Sequence, residues 1–314
     1  MALVLLPVAL LVTSGAGAAP LVVFALLMFG VGFADDLRPL GPGTKLLGQA
    51  VAAGAFLCMA PHVSVAGVWW LDVAAAWLWL VGIPNAFNLQ DNMDGLAGGL
   101  AVIAAVAFIA IVHAGGLTRF GLDGALASLA GAAAGFLLFN RPPASVFMGD
   151  AGSHLIGSVL AGAIWLTLPA AAGGPATFFA LAAVVLVPVA DTGLVVVTRL
   201  SSRRSPFVGG RDHASHRLVC LGLADARAVL LLDLVAAAGG VAGWLLAAGL
   251  VRAGAIALAT VVVACVLGAM RLGRIRIEPS PDGRGIHDTS PPGRPRDATA
   301  GASRVPGARA NPVP

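Results

Sequence analysis

Pro84-Asn-Ala-Phe-Asn-Leu-Gln-Asp-Asn-Met-Asp-Gly-Leu-Ala-Gly-Gly99 lies between two apolar runs, each long enough to cross a bilayer. It holds two Asp, Asp91 and Asp94, and three Asn, Asn85, Asn88 and Asn92. An Asp at the centre of a membrane helix costs roughly 2.5–3.5 kcal/mol on insertion scales. So much polarity belongs at a membrane surface or in a wet cavity, with work to do there. The stretch therefore marks one face of a membrane, and the other polar islands are read by asking whether they reach that face.

The surrounding chain supports this frame. Of 314 residues, 58% are hydrophobic and only 11% charged, against roughly 25% charged in a soluble domain. Apolar runs of membrane length recur along nearly the whole chain, without the polar–apolar alternation of barrel strands. The sequence thus predicts an all-α, polytopic bundle of about ten transmembrane helices. Their approximate bounds are 1–13, 20–34, 46–60, 68–83, 96–113, 122–139, 154–170, 177–198, 228–249 and 254–271. The first run lacks a basic n-region and is followed at once by a second, so it is read as a membrane segment and not as a signal peptide. Cys58, Cys220 and Cys265 show neither a metal spacing nor a disulfide framework.

Charge placement orients the bundle. The loops at 35–45, 84–95, 140–153 and 199–227, with Arg271 at the end of the last span and the tail beyond it, hold 17 of the 19 basic residues; Arg119 and Arg252 fall on the other face. By the positive-inside rule the first face is cytoplasmic and the protein a multi-pass plasma-membrane protein. Residues 1–277 form one transmembrane domain in this reading. Residues 278–314, rich in Pro, Gly and Arg and without apolar periodicity, form a disordered tail.

Four polar islands share the basic face. In the first, Asp35 and Asp36 end one helix, and Lys45 and Gln49 open the next on a common helical face. Adjacent carboxylates repel unless a cation lies between them, and hard oxygen donors suit Mg²⁺. In the second, Asn85, Asn88, Asp91 and Asp94 recur every three residues, as one stripe if helical and as a donor–acceptor cluster if not. In the third, Asp150 stands between Gly149 and Gly152, with Ser153 beside it, at a helix mouth suited to phosphate; capping by Asp150 or Ser153 is the structural alternative. In the fourth, Arg211, His213, His216 and Arg217 lie among further Arg, and Arg forks match phosphate oxygens. Asp191, near the end of its helix, is placed to support the cluster, and Asp233 is assigned to a helix seam. Together the islands point to magnesium-dependent phosphoryl transfer at the membrane surface.

These residues resemble the polyprenyl-phosphate N-acetylhexosamine-1-phosphate transferase family. The matches are Asp35-Asp36 followed by Lys45-x-x-x-Gln49; Asn85-Ala-Phe-Asn88-x-x-Asp91-x-x-Asp94-Gly95-Leu96; Val146-Phe-Met-Gly149-Asp150-x-Gly152-Ser153; and Asp212-His213-x-Ser215-His216-Arg217-Leu218. The resemblance implies transfer of an N-acetylhexosamine-1-phosphate from a UDP-sugar to polyprenyl phosphate in the bilayer, with release of UMP. It implies Mg²⁺ as cofactor, with Mn²⁺ as a substitute, and no nucleic-acid partner; a homodimer is left open. Asp150 would bind the metal, with Asp36 and Asp91 beside it. Asp35, a candidate base, and Asp36 would serve the lipid phosphate. Asp91, Asp94 and Asn88 would line the diphosphate pocket with Asn85, Lys45 and Ser153. Arg211, His213, His216 and Arg217 would contact the sugar-phosphate side. The His motif favours the N-acetylglucosamine-type branch.

Three features depart from that pattern. The family usually has one more helix and a Pro/Gly-rich motif ahead of the first span, so the chain is read as either truncated or wrongly started at its N-terminus. Asn92 stands where Gly is common, and Ser215 where many members have His. An inactive scaffold and an ion-coupled transporter are the competing readings; acids clustered at one end of the spans, without internal repeats, disfavour the transporter.

Overall fold

The computed structural model describes residues 18–64, 67–117, 121–168, 174–207 and 209–275. The expected first span at 1–13 and the tail at 278–314 lie outside them. Among the described residues the fold is all-helical. The helices are α1 (Ala19–Leu37), α2 (Pro42–Met59), α3 (Trp69–Gln90), α4 (Leu96–Ala114), α5 (Leu122–Asn140), α6 (Gly149–Thr167), α7 (Gly174–Ala182), α8 (Leu186–Ser201), α9 (Ala214–Cys220), α10 (Asp225–Ala247) and α11 (Val251–Gly273). Seven stretches are long and apolar enough to cross a membrane: α1, α3, α4, α5, Ala176–Ser201, α10 and α11. The runs expected at 46–60 and 154–170 are the helices α2 and α6.

α6 is the axis of the bundle. Every residue from Ala151 to Thr167 is buried, the polar Ser153, His154, Ser158 and Thr167 included. α1 and α3 pack along it closely enough to bring backbones together. A Cβ on Gly32 of α1 would overlap the Asp150 backbone, and one on Gly157 of α6 would overlap the backbone of Pro84 in α3. Phe24, Phe56, Phe87 and Phe108 fill the surrounding core and are fully buried.

The connections correct three sequence expectations. Residues 84–95 are not all loop: α3 runs through Pro84 to Gln90, leaving only 91–95 as the turn into α4. Pro84 donates no N–H, but the next residue ties the helix together, since Asn85 Nδ2 donates to the Val81 carbonyl at 2.7 Å. The expected span 177–198 is interrupted by a 3₁₀ turn at Ala183–Val185 between α7 and α8. The loop at 199–227 contains the short helix α9. Short periodic signals within polar loops are weak, which is why α9 was not foreseen.

The polar islands fall at helix ends that face one another: the C-terminus of α1, the N-terminus of α2, the C-terminus of α3, and the N-termini of α4 and α6. The opposite end of α3 carries the exposed Trp69 and Trp70, residues typical of a membrane–water interface.

The close approach at Gly157 gives a test of this packing. Gly157→Ala should destabilise the detergent-solubilised protein by about 1–3 kcal/mol, the usual cost of overpacking. Gly30→Ala, where nothing lies within 4 Å of the added Cβ, should leave the melting temperature unchanged or raised. Thermal unfolding of the two variants side by side reads the difference.

Candidate active site

The Asp150 carboxylate gathers side chains from three other helices. Lys45 Nζ, in the first turn of α2, donates to Asp150 Oδ2 and, at 3.0 Å, to Asp35 Oδ2 of α1. Asn88 Nδ2, in the last turn of α3, donates to Asp150 Oδ1 at 2.7 Å and to Ser153 Oγ at 3.0 Å. Asp35 Oδ1 accepts the Leu40 N–H at 2.6 Å, which shapes the turn between α1 and α2. Residues from islands far apart in sequence thus meet at one carboxylate.

Asp36 has a different place. Its Oδ1 accepts the Asp150 N–H at 2.8 Å and its Oδ2 the Ala151 N–H at 3.0 Å. The first turn of α6 is therefore capped from α1, and not by Asp150 or Ser153. Gly149, the first residue of α6, has φ +69°, and a Cβ there would press into the Asp36 carboxylate at 2.9 Å. A side chain at 149 would meet both strain and a clash.

One ammonium lying between Asp35 and Asp150 shows that these carboxylates converge on a single cationic point. No group of three or more His, Cys, Asp or Glu among the described residues is arranged as a ready-made metal cage. Mg²⁺ needs none, since it is commonly held by one or two carboxylates with substrate phosphates and water. The donor set fits that ion.

The turn between α3 and α4 is fastened to the loop before α6. Asp94 Oδ2 accepts the Ala144 N–H at 2.9 Å, and Asn140 Oδ1 accepts the Gly95 N–H at 2.9 Å. Asn140 Nδ2 in turn donates to the Val146 carbonyl at 2.9 Å. Asp91 caps the C-terminus of α3. Of the four residues in the expected stripe, Asn85 and Asn88 are helical, while Asp91 and Asp94 belong to the turn.

The fourth island joins the same end of α3 through other partners. Asp191 of α8 accepts from His213 Nδ1 at 2.8 Å, the Ala214 N–H at 2.6 Å and Gln90 Nε2 at 2.9 Å. His213 thereby turns its Nε2 away from Asp191, and its ring lies 6.2 Å from that of His216. Ser215 Oγ donates to Asn92 Oδ1 at 2.7 Å, so the two positions that depart from the family pattern touch each other. Arg217 is buried, and its donors go to the carbonyls of Asp212, Leu272 and Ile275 and to Thr198 Oγ1. It ties α9 to α8 and α11. Arg211 is exposed at the edge of the island.

Electrostatics in this island follow from burial. Burial raises the Asp212 carboxyl, but the hydrogen bonds and charges of Arg204 and Arg199 outweigh it and hold the group below its ordinary value. Burial drives the His216 imidazole down to about 4, and His213 and Arg211 push it the same way. The seam hydrogen bond expected for Asp233 is not made: its Oδ1 is buried without a hydrogen-bond partner, and its carboxylate faces Gly99. Gln90 and His154 also belong to these networks, Gln90 through Asp191 and His154 through its Nδ1, 2.7 Å from the Asp150 carbonyl. Their signal in the sequence is adjacency alone: Gln90 precedes Asp91 and His154 follows Ser153.

Residues 18–168 match the family model described as "Glycosyl transferase family 4". Over that segment, just under half of the chain, the protein is similar to glycosyl transferase family 4. The matched segment carries Asp35, Asp36, Lys45, Asn88, Asp91, Asp94 and Asp150, and the His213 island lies beyond it. The chain is 36% identical over 251 residues to the decaprenyl-phosphate N-acetylglucosaminephosphotransferase of Mycolicibacterium smegmatis, covering 69% of this chain and 60% of that protein. The protein of the same name from Mycobacterium tuberculosis is 36% identical over 249 residues, with the same coverage. The phospho-N-acetylmuramoyl-pentapeptide-transferase of Lactiplantibacillus plantarum is 35% identical over 161 residues, 45% of this chain and 50% of that one. The chain thus spans about 60% of the length of the mycobacterial relatives.

The His216 environment predicts a pH dependence. In the folded chain its imidazole sits near 4, against 6.5 when unfolded, so between those values the unfolded state binds more protons. Stability should therefore fall as pH drops from about 6.5 towards 4. His216→Gln should flatten that part of a melting-temperature profile.

Proposed function

We propose that this protein transfers N-acetylglucosamine-1-phosphate from a UDP-sugar to polyprenyl phosphate, on the cytoplasmic side of a membrane that it crosses about ten times. The observation that carries this reading is the convergence of Lys45, Asp35 and Asn88 on Asp150 at the mouth of α6. The names of the mycobacterial relatives support the sugar and the acceptor. The excess of Arg on the loops at this end supports the orientation.

In the reaction, an oxygen of the lipid phosphate attacks the β-phosphorus of the UDP-sugar. A new P–O bond joins the two phosphates, the bond from the β-phosphorus to the UMP oxygen breaks, and UMP leaves with that electron pair. Asp150, with Asp35 across the Lys45 ammonium from it, would hold Mg²⁺, which when bound would neutralise diphosphate charge; Asp36, whose oxygens cap α6, and Asp91, at the end of α3, form no three-acid group with them among the described residues. Lys45 offsets charge on the acceptor phosphate, and Asp35 takes its proton when it arrives protonated. Asn88 and Ser153 orient the diphosphate. His213, aimed by Asp191, and His216 donate hydrogen bonds on the sugar-phosphate side, with Arg211 at the rim. Asp94, Asn85 and Arg217 hold the loops and helices that present these groups.

Purified protein, incubated with a panel of UDP-sugars and polyprenyl phosphate, should form a polyprenyl diphosphate N-acetylglucosamine detectable by mass spectrometry. One UMP should appear per product, only with Mg²⁺ or Mn²⁺ present. Asp150→Asn should lower turnover by about 10²–10³-fold, the scale of losing one charge-stabilising group. Folded protein giving no lipid product from any UDP-sugar would overturn the reading and favour the scaffold.

A further inference from the structure

A second layer of polar residues lies one helical turn below the Asp150 contacts. Lys45 is followed on α2 by Gln49, Asn88 is preceded on α3 by Asn85, and Asp150 is followed on α6 by His154. Each pair is three or four residues apart, so each helix carries one member of both layers on one face. The deeper three touch one another. Asn85 Nδ2 donates to Gln49 Oε1 at 2.7 Å, Gln49 Nε2 donates to Asn85 Oδ1 at 3.1 Å, and Gln49 Nε2 lies 2.8 Å from His154 Nε2. Gln49 and His154 are fully buried.

The hydrogens in this chain have one consistent direction. The Val81 carbonyl can only accept, so the Asn85 atom 2.7 Å from it is the amide nitrogen. The Gln49 atom facing that nitrogen is then the oxygen, and Gln49 Nε2 is the donor to His154. His154 Nε2 must accept, so the ring carries its hydrogen on Nδ1, which donates to the Asp150 carbonyl at 2.7 Å. The imidazole is neutral and both its nitrogens are used. Both amide N–H groups of Gln49 and of Asn85 are used as well. A closed network of this kind fixes geometry, because any slip leaves a buried donor unpaired.

We propose that His154 is a positioning residue: through Gln49 and Asn85 it locks α2 and α3 in register with α6, so that Lys45 and Asn88 meet the Asp150 carboxylate. It acts from below the site and touches no substrate. The assignment rests on the transferase reading for its activity assay but not for its structural one.

Three variants separate this role from others. His154→Gln keeps an acceptor for Gln49, His154→Asn keeps only the donor to the Asp150 carbonyl, and His154→Leu keeps neither. The first readout is hydrogen exchange of residues 149–156 in the protein without substrate. Exchange should match the wild type in the Gln variant and rise in the Asn and Leu variants. The second is the UDP-N-acetylglucosamine concentration for half-maximal turnover. It should stay within about twofold for Gln and rise about 10-fold or more for Asn, the scale seen when groups behind a ligand are removed. If the Leu variant does not fold, the Gln–Asn comparison decides. Asn equal to wild type in both readouts overturns the proposal. So do Gln and Asn equally impaired while folded, since that would place His154 in the chemistry. If the wild type makes no lipid product, the transferase reading fails, and exchange at 149–156 still tests the lock.

Discussion

The N–H groups of a helix's first turn have no partner within the helix, and α6 is buried from Ala151 onward. The need to satisfy those groups organises the rest of this end of the molecule. Asp36 satisfies two of those donors from α1, which draws α1 against α6 and requires Gly32 where the two backbones meet. The Asp150 carboxylate then stands free of capping duty and turns towards Lys45 and Asn88. Without the cap, about 0.5–2 kcal/mol would be lost at the helix end, and the anchor that sets Asp35 beside Asp150 would go with it.

The end of α3 joins two networks that the sequence keeps far apart. Asn85 and Asn88 face α2 and α6; Gln90 and Asn92 reach α8 and α9. Carboxylates from one side and imidazoles from the other are thus referred to the same two helical turns. Asn92 and Ser215 bond each other, so the two departures from the family pattern form one local change and not two unrelated losses. This geometry fits the similarity to glycosyl transferase family 4.

Much of this was legible in the sequence, for physical reasons. Long apolar runs read as helices, and acids that are costly beside lipid marked one face. Asp35, Lys45, Asn88 and Asp150 were singled out because their residue types are expensive in that setting. Roles were less legible than membership. Asp36 and Asp150 are both Asp near a helix end, yet one caps and the other faces a cation, a difference set by contacts across more than a hundred residues. Arg217 looked like a phosphate fork, but burial turned its donors onto backbone carbonyls. His154 went unassigned because a single imidazole in an apolar run gives no local sign of the amides that will meet it.

We propose that one divalent cation is held at the Asp150 carboxylate when the UDP-sugar is present. Mn²⁺ electron paramagnetic resonance on the detergent-solubilised chain tests this directly, because bound Mn²⁺ leaves the free-ion signal. With UDP-N-acetylglucosamine added, the wild type should take up one Mn²⁺ per chain, and Asp150→Asn, folded to the same melting temperature, should take up none at the same concentrations. Equal uptake by the two proteins would contradict the account.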